Sequence, residues 1–349
     1  MNELAEVVAY DPNELNPYGV EVCAILTEIA DSVTLWTTVA RTVAPVDGLK
    51  IVNCLARSGD ARPARRKPIW RRLFAPLHLV FTTPRSTPLV AIWIRDPWDA
   101  LLFGLRAQFG GRMLIIHHNP VQVQPRPGVG GVMEKWAVSR AIACTHSPRL
   151  ASLTLDYCSK VAVTPHPPFS VTTRDAHRTT KGALNNRAIF AFIGGLREDK
   201  GVGELVAIAS ASGGGWDLLI LGPDRLAEAI VRSLSEVDVG VRYVADDRGP
   251  SDRELIDGLL ASQAVLAPYV AMTESSSIIL AFTLGVPVLS FDSPALENRL
   301  TSQSVAKDAT SLGLTMQRFI KAPWPTYTGL ISAVHDASVA GWRNALANA

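Results

Sequence analysis

Phe190-Ala191-Phe192-Ile193-Gly194-Gly195-Leu196-Arg197-Glu198-Asp199-Lys200-Gly201-Val202-Gly203-Glu204-Leu205 reads as an apolar strand, a glycine turn, a pair of cations and the start of a helix. Such a turn suits a diphosphate. Gly194 and Gly195 let the backbone approach a ligand with no Cβ in the way. Arg197 and Lys200 supply two positive charges, and the helix that follows offers its positive end. The same residues also fit a strand–turn–helix whose surface is merely basic and solvated.

A second segment bears on that choice. Ala264-Val265-Leu266-Ala267-Pro268-Tyr269 ends a strand, and a polar loop leads through Glu274 to Ser275-Ser276-Ser277. An apolar helix then runs to Gly285-Val286-Pro287-Val288-Leu289. Serines at a helix start are good N-cap residues. The unpaired N–H groups there also form an anion site, so capping and phosphate binding are compatible readings.

Both segments resemble the donor domain of GT-B glycosyltransferases, in particular glycosyltransferase family 4 and its relatives. The first is similar to their FxGxxRxxKGxxxL stretch and the second to a PY…SxSxxLAxxxGxPV stretch; together they cover most of residues 186–300. The resemblance implies that Arg197 and Lys200 neutralise a donor diphosphate, and that Ser275–Ser277 contact the phosphates and part of the sugar. Those groups would do what a divalent metal does in other transferases, and no DxD-type pair stands in a donor-site position, so no metal is expected. Many members carry two glutamates eight residues apart in the second segment. Glu274 matches the first, Phe282 stands at the second, and the spacing to Gly285-x-Pro287 is two residues shorter. Glu297, in Pro294-Ala295-Leu296-Glu297, resembles a downstream glutamate near the nucleotide, though it also reads as a surface carboxylate at a helix start.

Working outward, short β-rich runs alternate with helical patterns. The first series is Val7–Tyr10, Val33–Thr37, Lys50–Cys54, Val90–Ile94, Met113–His117, Ala141–Thr145 and Lys160–Thr164. The second is Ala188–Ile193, Trp216–Leu221, Val241–Val244, Ala264–Ala267 and Val286–Ser290. Helical periodicity marks Gly203–Ser210, Asp224–Leu234 and Asp252–Ala261. Alternation of this kind predicts parallel sheets covered on both faces. The expected fold is α/β with GT-B architecture: two Rossmann-like, doubly wound domains facing a central cleft. We expect an acceptor domain over 1–168, a polar linker over 169–186 and a nucleotide-sugar domain over 187–329, with a helical tail from Thr326 whose portion 330–349 packs back on the first domain. At roughly 150 residues per domain, 349 residues fit two.

The first half is expected to hold the acceptor. Asn16-Pro17-Tyr18-Gly19 reads as a glycine-containing loop after the first strand, and Asp11 ends that strand. Leu114-Ile115-Ile116-His117-His118-Asn119 ends another strand, and strand C-termini line the ligand crevice of doubly wound sheets. Neighbouring strand residues face opposite sides, so only one histidine faces the crevice. An HN or HD pair in the family points to His118, with Asn119 beside it. His166, in Pro165-His166-Pro167, resembles a family motif at the domain junction. Asp96, after Trp93-Ile94-Arg95, is the candidate general base, with Asp11 its rival.

Arg62, Arg65, Arg66, Lys67, Arg71 and Arg72 interleave with Trp70, Leu73, Phe74 and Leu77. Over 62–77 this is the composition of an interfacial amphipathic helix on anionic lipid, suited to a lipid-linked acceptor; an ordinary solvated helix is the plain reading. No nucleic-acid recognition motif accompanies it, so nucleic acid is not an expected partner.

The composition agrees with such a protein. Hydrophobic residues make up 48% and charged residues 19%, enough for two cores, and the formal charge of +2 excludes a histone-like binder. The four cysteines form no CxxC pair, which fits a reducing cytoplasm. No run approaches the ~18 apolar residues of a membrane span. The sequence therefore predicts a cytoplasmic or peripheral hexosyltransferase without a cofactor. It would move a sugar from a nucleoside-diphosphate sugar to a hydroxyl of a glycan or lipid-linked acceptor, in polysaccharide or other glycoconjugate synthesis. The changed glutamate pair tilts the reading towards inversion at the anomeric carbon. A nucleotide-sugar 2-epimerase on the same fold and a non-catalytic nucleotide-sugar-binding subunit are the alternatives.

Overall fold

In the computed structural model the described residues are 4–12, 18–37, 46–53, 69–118, 128–170, 187–244, 249–271, 275–293, 296 and 299–349, with backbone only for 53 and 69–73. Asn16, Asn119, Glu274, Glu297, the cations Arg62 to Lys67 and linker residues 171–186 lie outside them. The chain divides into two compact units, Met1–Pro167 with Ser332–Ala349, and Pro168–Ile331.

The first unit is built on seven strands: β1 Val7–Asp11, β2 Val33–Thr37, β3 Leu49–Asn53, β4 Leu89–Ala91, β5 Met113–Ile116, β6 Ile142–Thr145 and β7 Val161–Val163. All pair in parallel, in the order β3-β2-β1-β4-β5-β6-β7. The second unit holds β8 Ala188–Ile193, β9 Trp216–Leu221, β10 Val239–Tyr243, β11 Ala264–Ala267, β12 Val288–Phe291 and β13 Val305–Ala306. These are also all parallel, ordered β10-β9-β8-β11-β12-β13. Each sheet thus begins 3-2-1-4-5-6 in its own strand count, the doubly wound order with its switch point beside the first strand.

Both faces of each sheet are covered, and strand alternation divides the side chains between them. In the first sheet Val7, Ala9, Val90, Ile92, Leu114 and Ile116 pack with Val22 and Leu26 of helix α1 (Tyr18–Thr27). Val8, Tyr10, Leu89, Ala91, Met113 and Ile115 face the other way. They meet Ala75 and Leu79 of α2 (Ile69–Thr82), Phe103 of α3 (Pro97–Gln108) and Val138 of α4 (Val129–Arg140). A shift of one residue in any strand would turn its whole set to the wrong core. The helix Ile331–Ala347 sends Trp342, Ala345 and Leu346 into the α1 side of this first core. In the second sheet Phe190, Phe192, Trp216, Leu218 and Ile220 share one core with Ile208, Leu312 and Met316. Ala191, Ile193, Leu219, Leu221 and Val265 share the other with Leu259, Ile278 and Ala281.

Some expectations are corrected. The tail is not helical from Thr326. Thr326 O accepts from Thr301 N, Thr328 N donates to Arg299 O and Tyr327 forms an antiparallel bridge with Leu300, so this backbone is committed to another segment and the helix starts only at Ile331. β4 ends at Ala91, so Ile92 to Asp96 form a loop. β13, only two residues long, carries too little periodicity to be read in sequence. No helix among the described residues is long and apolar enough to cross a membrane.

Candidate active site

The loops leaving β8 and β11 flank the switch point of the second sheet, where a doubly wound fold leaves a crevice outside the strand ends. Gly194 has φ +94°. Asp224, after β9, accepts a hydrogen bond from Leu196 N at 2.8 Å and so fixes the turn after Gly195. A 3₁₀ turn over Glu198–Lys200 ends at Gly201, whose φ is +75°. A Cβ on Gly201 would fall 2.8 Å from the Pro268 carbonyl carbon and closer still to its oxygen, so the two loops touch backbone to backbone. Val270 N and Ala271 N both donate to the Asp199 carbonyl, at 3.1 and 3.3 Å. Across this junction Lys200 Nζ sits 3.8 Å above the Tyr269 ring, an attraction between cation and π face.

Arg197 is placed differently from its reading as a plain charge donor. Its Nε and Nη2 donate to Asp199 Oδ1 and Oδ2 at 2.8 and 2.7 Å. This bond from Arg197 holds the Asp199 carboxyl below its ordinary range. Ser275 is the N-cap of α9 (Ser276–Thr283), where it is buried, but its hydroxyl makes no capping bond to the helix. Ser276 and Ser277 open the helix itself.

In the first unit the strand ends gather an aromatic and imidazole cluster. Tyr18 is 1% exposed, and its hydroxyl lies 3.0 Å from His146 Nε2. Its ring centroid is 5.3 Å from that of His118 and 4.5 Å from that of His166. Each histidine bonds a main-chain carbonyl: His118 Nε2–H to Ile92, His146 Nδ1–H to Thr164 and His166 Nδ1–H to Pro167, at 2.8, 2.8 and 2.7 Å. Those bonds fix the tautomers. His146 Nε2 therefore accepts from Tyr18, and His118 keeps Nδ1 as an acceptor. Burial, reinforced by His146, holds His118 well below the usual imidazole range, so it is neutral at pH 7. Trp93 stacks on His118 at 3.7 Å with planes 13° apart, and its buried indole N–H has no hydrogen-bond partner among the described residues.

Tyr18 and Gly19 lie in the first turn of α1 and not in a loop. Gly19 is needed for space: a Cβ there would fall 2.8 Å from the Asp11 carboxyl carbon and closer to Oδ2. Asp11 is 1% exposed and lies against Gly19 of α1. His117 faces the opposite side, bonded to Tyr157 and buried, and burial followed by the Lys135 charge lowers it to about 4. Asp96 is the N-cap of α3. Its Oδ1 accepts from Trp98 N and Asp99 N at 3.0 and 3.1 Å. Beside it Asp99, 1% exposed, is raised to about 7 by burial and then by the Asp96 charge.

Sequence reading missed His146, Trp93, Asp99 and Asp199. His146 carried the same signal as His118, a polar residue directly after a strand. The other three depend on contacts. No group of three or more His, Cys, Asp or Glu residues among the described residues could hold a metal ion.

No family model matches the chain, and no curated protein does. Solved structures match it nearly end to end. Sucrose-phosphate synthase from Thermosynechococcus elongatus superposes with a TM-score of 0.67 at 15% identity, covering 99% of this chain and 94% of that one. HepE from Anabaena, solved with UDP-glucose, gives 0.65 at 11% identity, with 98% of each chain covered. The α,α-trehalose-6-phosphate synthase from Burkholderia multivorans gives 0.62 at 12% identity, with 100% and 99% covered. The fold is GT-B. The GT-B expectation therefore holds at the level of architecture, with two Rossmann-like domains, while the resemblance to family 4 in particular stays a matter of motifs. In this GT-B chain the described residues read as donor site belong to the second unit and the described histidines to the first.

Proposed function

We propose that this protein is a glycosyltransferase that moves a sugar from a nucleoside-diphosphate sugar to an acceptor hydroxyl. The observation that carries the reading is the junction of the β8 and β11 loops. There Gly201 packs on the Pro268 backbone and Lys200 lies over Tyr269 at a sheet's switch point, with Arg197 on the same loop, on a fold shared with HepE, which was solved with UDP-glucose. Lys200, Arg197 and the α9 start would stabilise the charge that builds on the leaving diphosphate. With those groups in place the chemistry needs no divalent metal. On the first unit, neutral His118 is read as the base, because its Nδ1 lone pair faces no other bonded donor among the described residues; burial lowers its basicity, so the hydroxyl proton moves only as the new glycosidic bond forms. Asp96 already spends one oxygen on the helix cap. Tyr18, His146 and His166 hold the imidazole in place, and inversion is the expected stereochemistry.

Titration calorimetry with UDP, GDP, ADP and TDP tests the donor half of this reading. One nucleotide should bind, and Lys200→Ala should weaken it by about 1–3 kcal/mol, as loss of a charge-assisted bond does. Absence of binding to all four would remove the donor site. Incubation of the donor sugar with and without candidate acceptors separates transfer from epimerisation.

The acceptor is proposed to be a glycan or a lipid-linked saccharide, reached by a cytoplasmic protein at the membrane surface. Three buried free thiols, Cys23, Cys144 and Cys158, suit a reducing compartment. Residues 61–95 contain eight Arg or Lys and no Asp or Glu, and on α2 Phe74 and Phe81 are 58% and 77% exposed. Basic charge close in sequence to exposed aromatic rings fits anionic lipid. Co-sedimentation with phosphatidylglycerol vesicles should occur and should fall on Phe81→Ser; equal binding to neutral vesicles would argue against it.

A further inference from the structure

The two cations of the donor loop differ in what they face. Lys200 lies against the π face of Tyr269, with no carboxylate bonded to it among the described residues. Arg197 is held by Asp199 through both carboxylate oxygens, in the two-pronged geometry that a guanidinium also offers to a phosphate. The Arg197 side chain is 53% exposed and that of Asp199 17%, so the arginine is the open end of the pair. Asp199 is anchored from behind, since its carbonyl takes the N–H groups of Val270 and Ala271. Gly201 is wedged on the Pro268 carbonyl two residues later. The backbone of the loop therefore has little room to rearrange, while the Arg197 side chain does.

We propose that Asp199 is an internal competitor for the donor diphosphate: its carboxylate occupies Arg197 in the donor-free protein and gives it up when phosphate oxygens arrive. The proposal rests on the donor-site reading above. Asp199 touches neither sugar nor acceptor in this scheme. It is a positioning residue that keeps Arg197 ordered and sets how tightly the diphosphate is held. The arrangement weakens donor and product binding alike, and the nucleoside-diphosphate product is then released more readily. Charge balance supports the exchange. One phosphate replaces one carboxylate on the guanidinium, and Asp199, 17% exposed, gives up its two bonds to Arg197. Lys200 remains near Asp199 to receive part of its charge.

A double-mutant cycle tests the idea. UDP affinity is measured by calorimetry for the full chain, Arg197→Ala, Asp199→Asn and the double variant, with melting curves as the check on folding. GDP, ADP and TDP are substituted if UDP fails. The expected result is that Arg197→Ala weakens binding, and that Asp199→Asn tightens it about two- to five-fold, the scale on which an exposed ion pair competes. In the Arg197→Ala background Asp199→Asn should do almost nothing. The UDP dissociation rate should slow on Asp199→Asn by a similar factor. If Asp199→Asn leaves affinity unchanged or weakens it while Arg197→Ala still weakens it, the competitor role is wrong and the donor site stands. If it tightens UDP equally in both backgrounds, only a nearby negative charge has been removed and the exchange is refuted. If none of the four nucleotides binds, the donor site itself falls and the proposal falls with it.

Discussion

Gly201 offers a direct check on the geometry that defines the donor loop. Its φ of +75° is a conformation that costs an L-residue about 1–2 kcal/mol. An alanine there would also place its Cβ 2.8 Å from the Pro268 carbonyl carbon and nearer to its oxygen, where real Cβ atoms essentially never sit. The obstacle is backbone, not a side chain that can swing away. The loops must part, and forced overpacking of this kind costs about 1–3 kcal/mol. The two contributions sum to about 3 kcal/mol. At roughly 2–4 °C per kcal/mol for a unit of this size, the melting temperature should fall by roughly 6–12 °C. Gly203 supplies the control from the same segment, because its Cβ would meet nothing within 4 Å and its φ is not positive. Gly203→Ala should be neutral, or stabilise by about 0.4–1 kcal/mol through the unfolded chain. Differential scanning calorimetry reads the stabilities, and UDP titration reads the site. Parting the loops should also disturb Lys200 on Tyr269 and weaken UDP by roughly fivefold or more, about 1 kcal/mol. If Gly201→Ala melts and binds like Gly203→Ala, the packing of the β8 loop on the β11 loop is wrong.

Three further outcomes follow from other contacts. Arg106, 5% exposed, donates to the carbonyls of Val80, Thr83, Pro84 and Thr87 at 3.3, 2.9, 2.8 and 3.0 Å, and so caps the end of α2. Arg106→Met should destabilise the first unit by about 3–5 kcal/mol in urea unfolding, and Lys should not rescue it because it lacks the planar fork. Asp99 rises from 3.8 to about 7 on folding. The folded protein then binds more protons than the unfolded one between those values, and stability is lost as pH climbs from about 4 to 7, by up to about 4 kcal/mol. Asp99→Asn should flatten that slope, matching the native protein near pH 4 and exceeding it at pH 8; an unchanged slope would mean that the carboxyl is not the group responsible. Asp96→Asn keeps the helix cap and should retain most turnover, whereas Asp96→Ala should cost about 1 kcal/mol of stability and His118→Gln should lower turnover about a hundredfold or more. A collapse of activity in Asp96→Asn at unchanged melting temperature would restore the aspartate as the base.

The sequence by itself determined the architecture. Ala188–Ile193, Trp216–Leu221 and Ala264–Ala267 are strands with the limits their composition suggests, because a buried parallel strand must be apolar on both faces. The glycine turn after β8 and the serine start of α9 were legible for the same reason: backbone that bends sharply or begins a helix restricts which residues can stand there. His118 and His117 were assigned to opposite sides by strand alternation alone. Only the tertiary structure decided which charges are available. Asp199 is one more acid in a polar turn until its two oxygens are seen on Arg197, and Asp96 looks like a base until its helix takes up one oxygen. Gly19 looked like a loop glycine, and the reason for it is a carboxylate from β1 pressed against the next helix. Local propensity is written into neighbouring residues. The protonation and pairing of a side chain depend on partners far along the chain, as Tyr18 on His146 shows, and only folding brings these together.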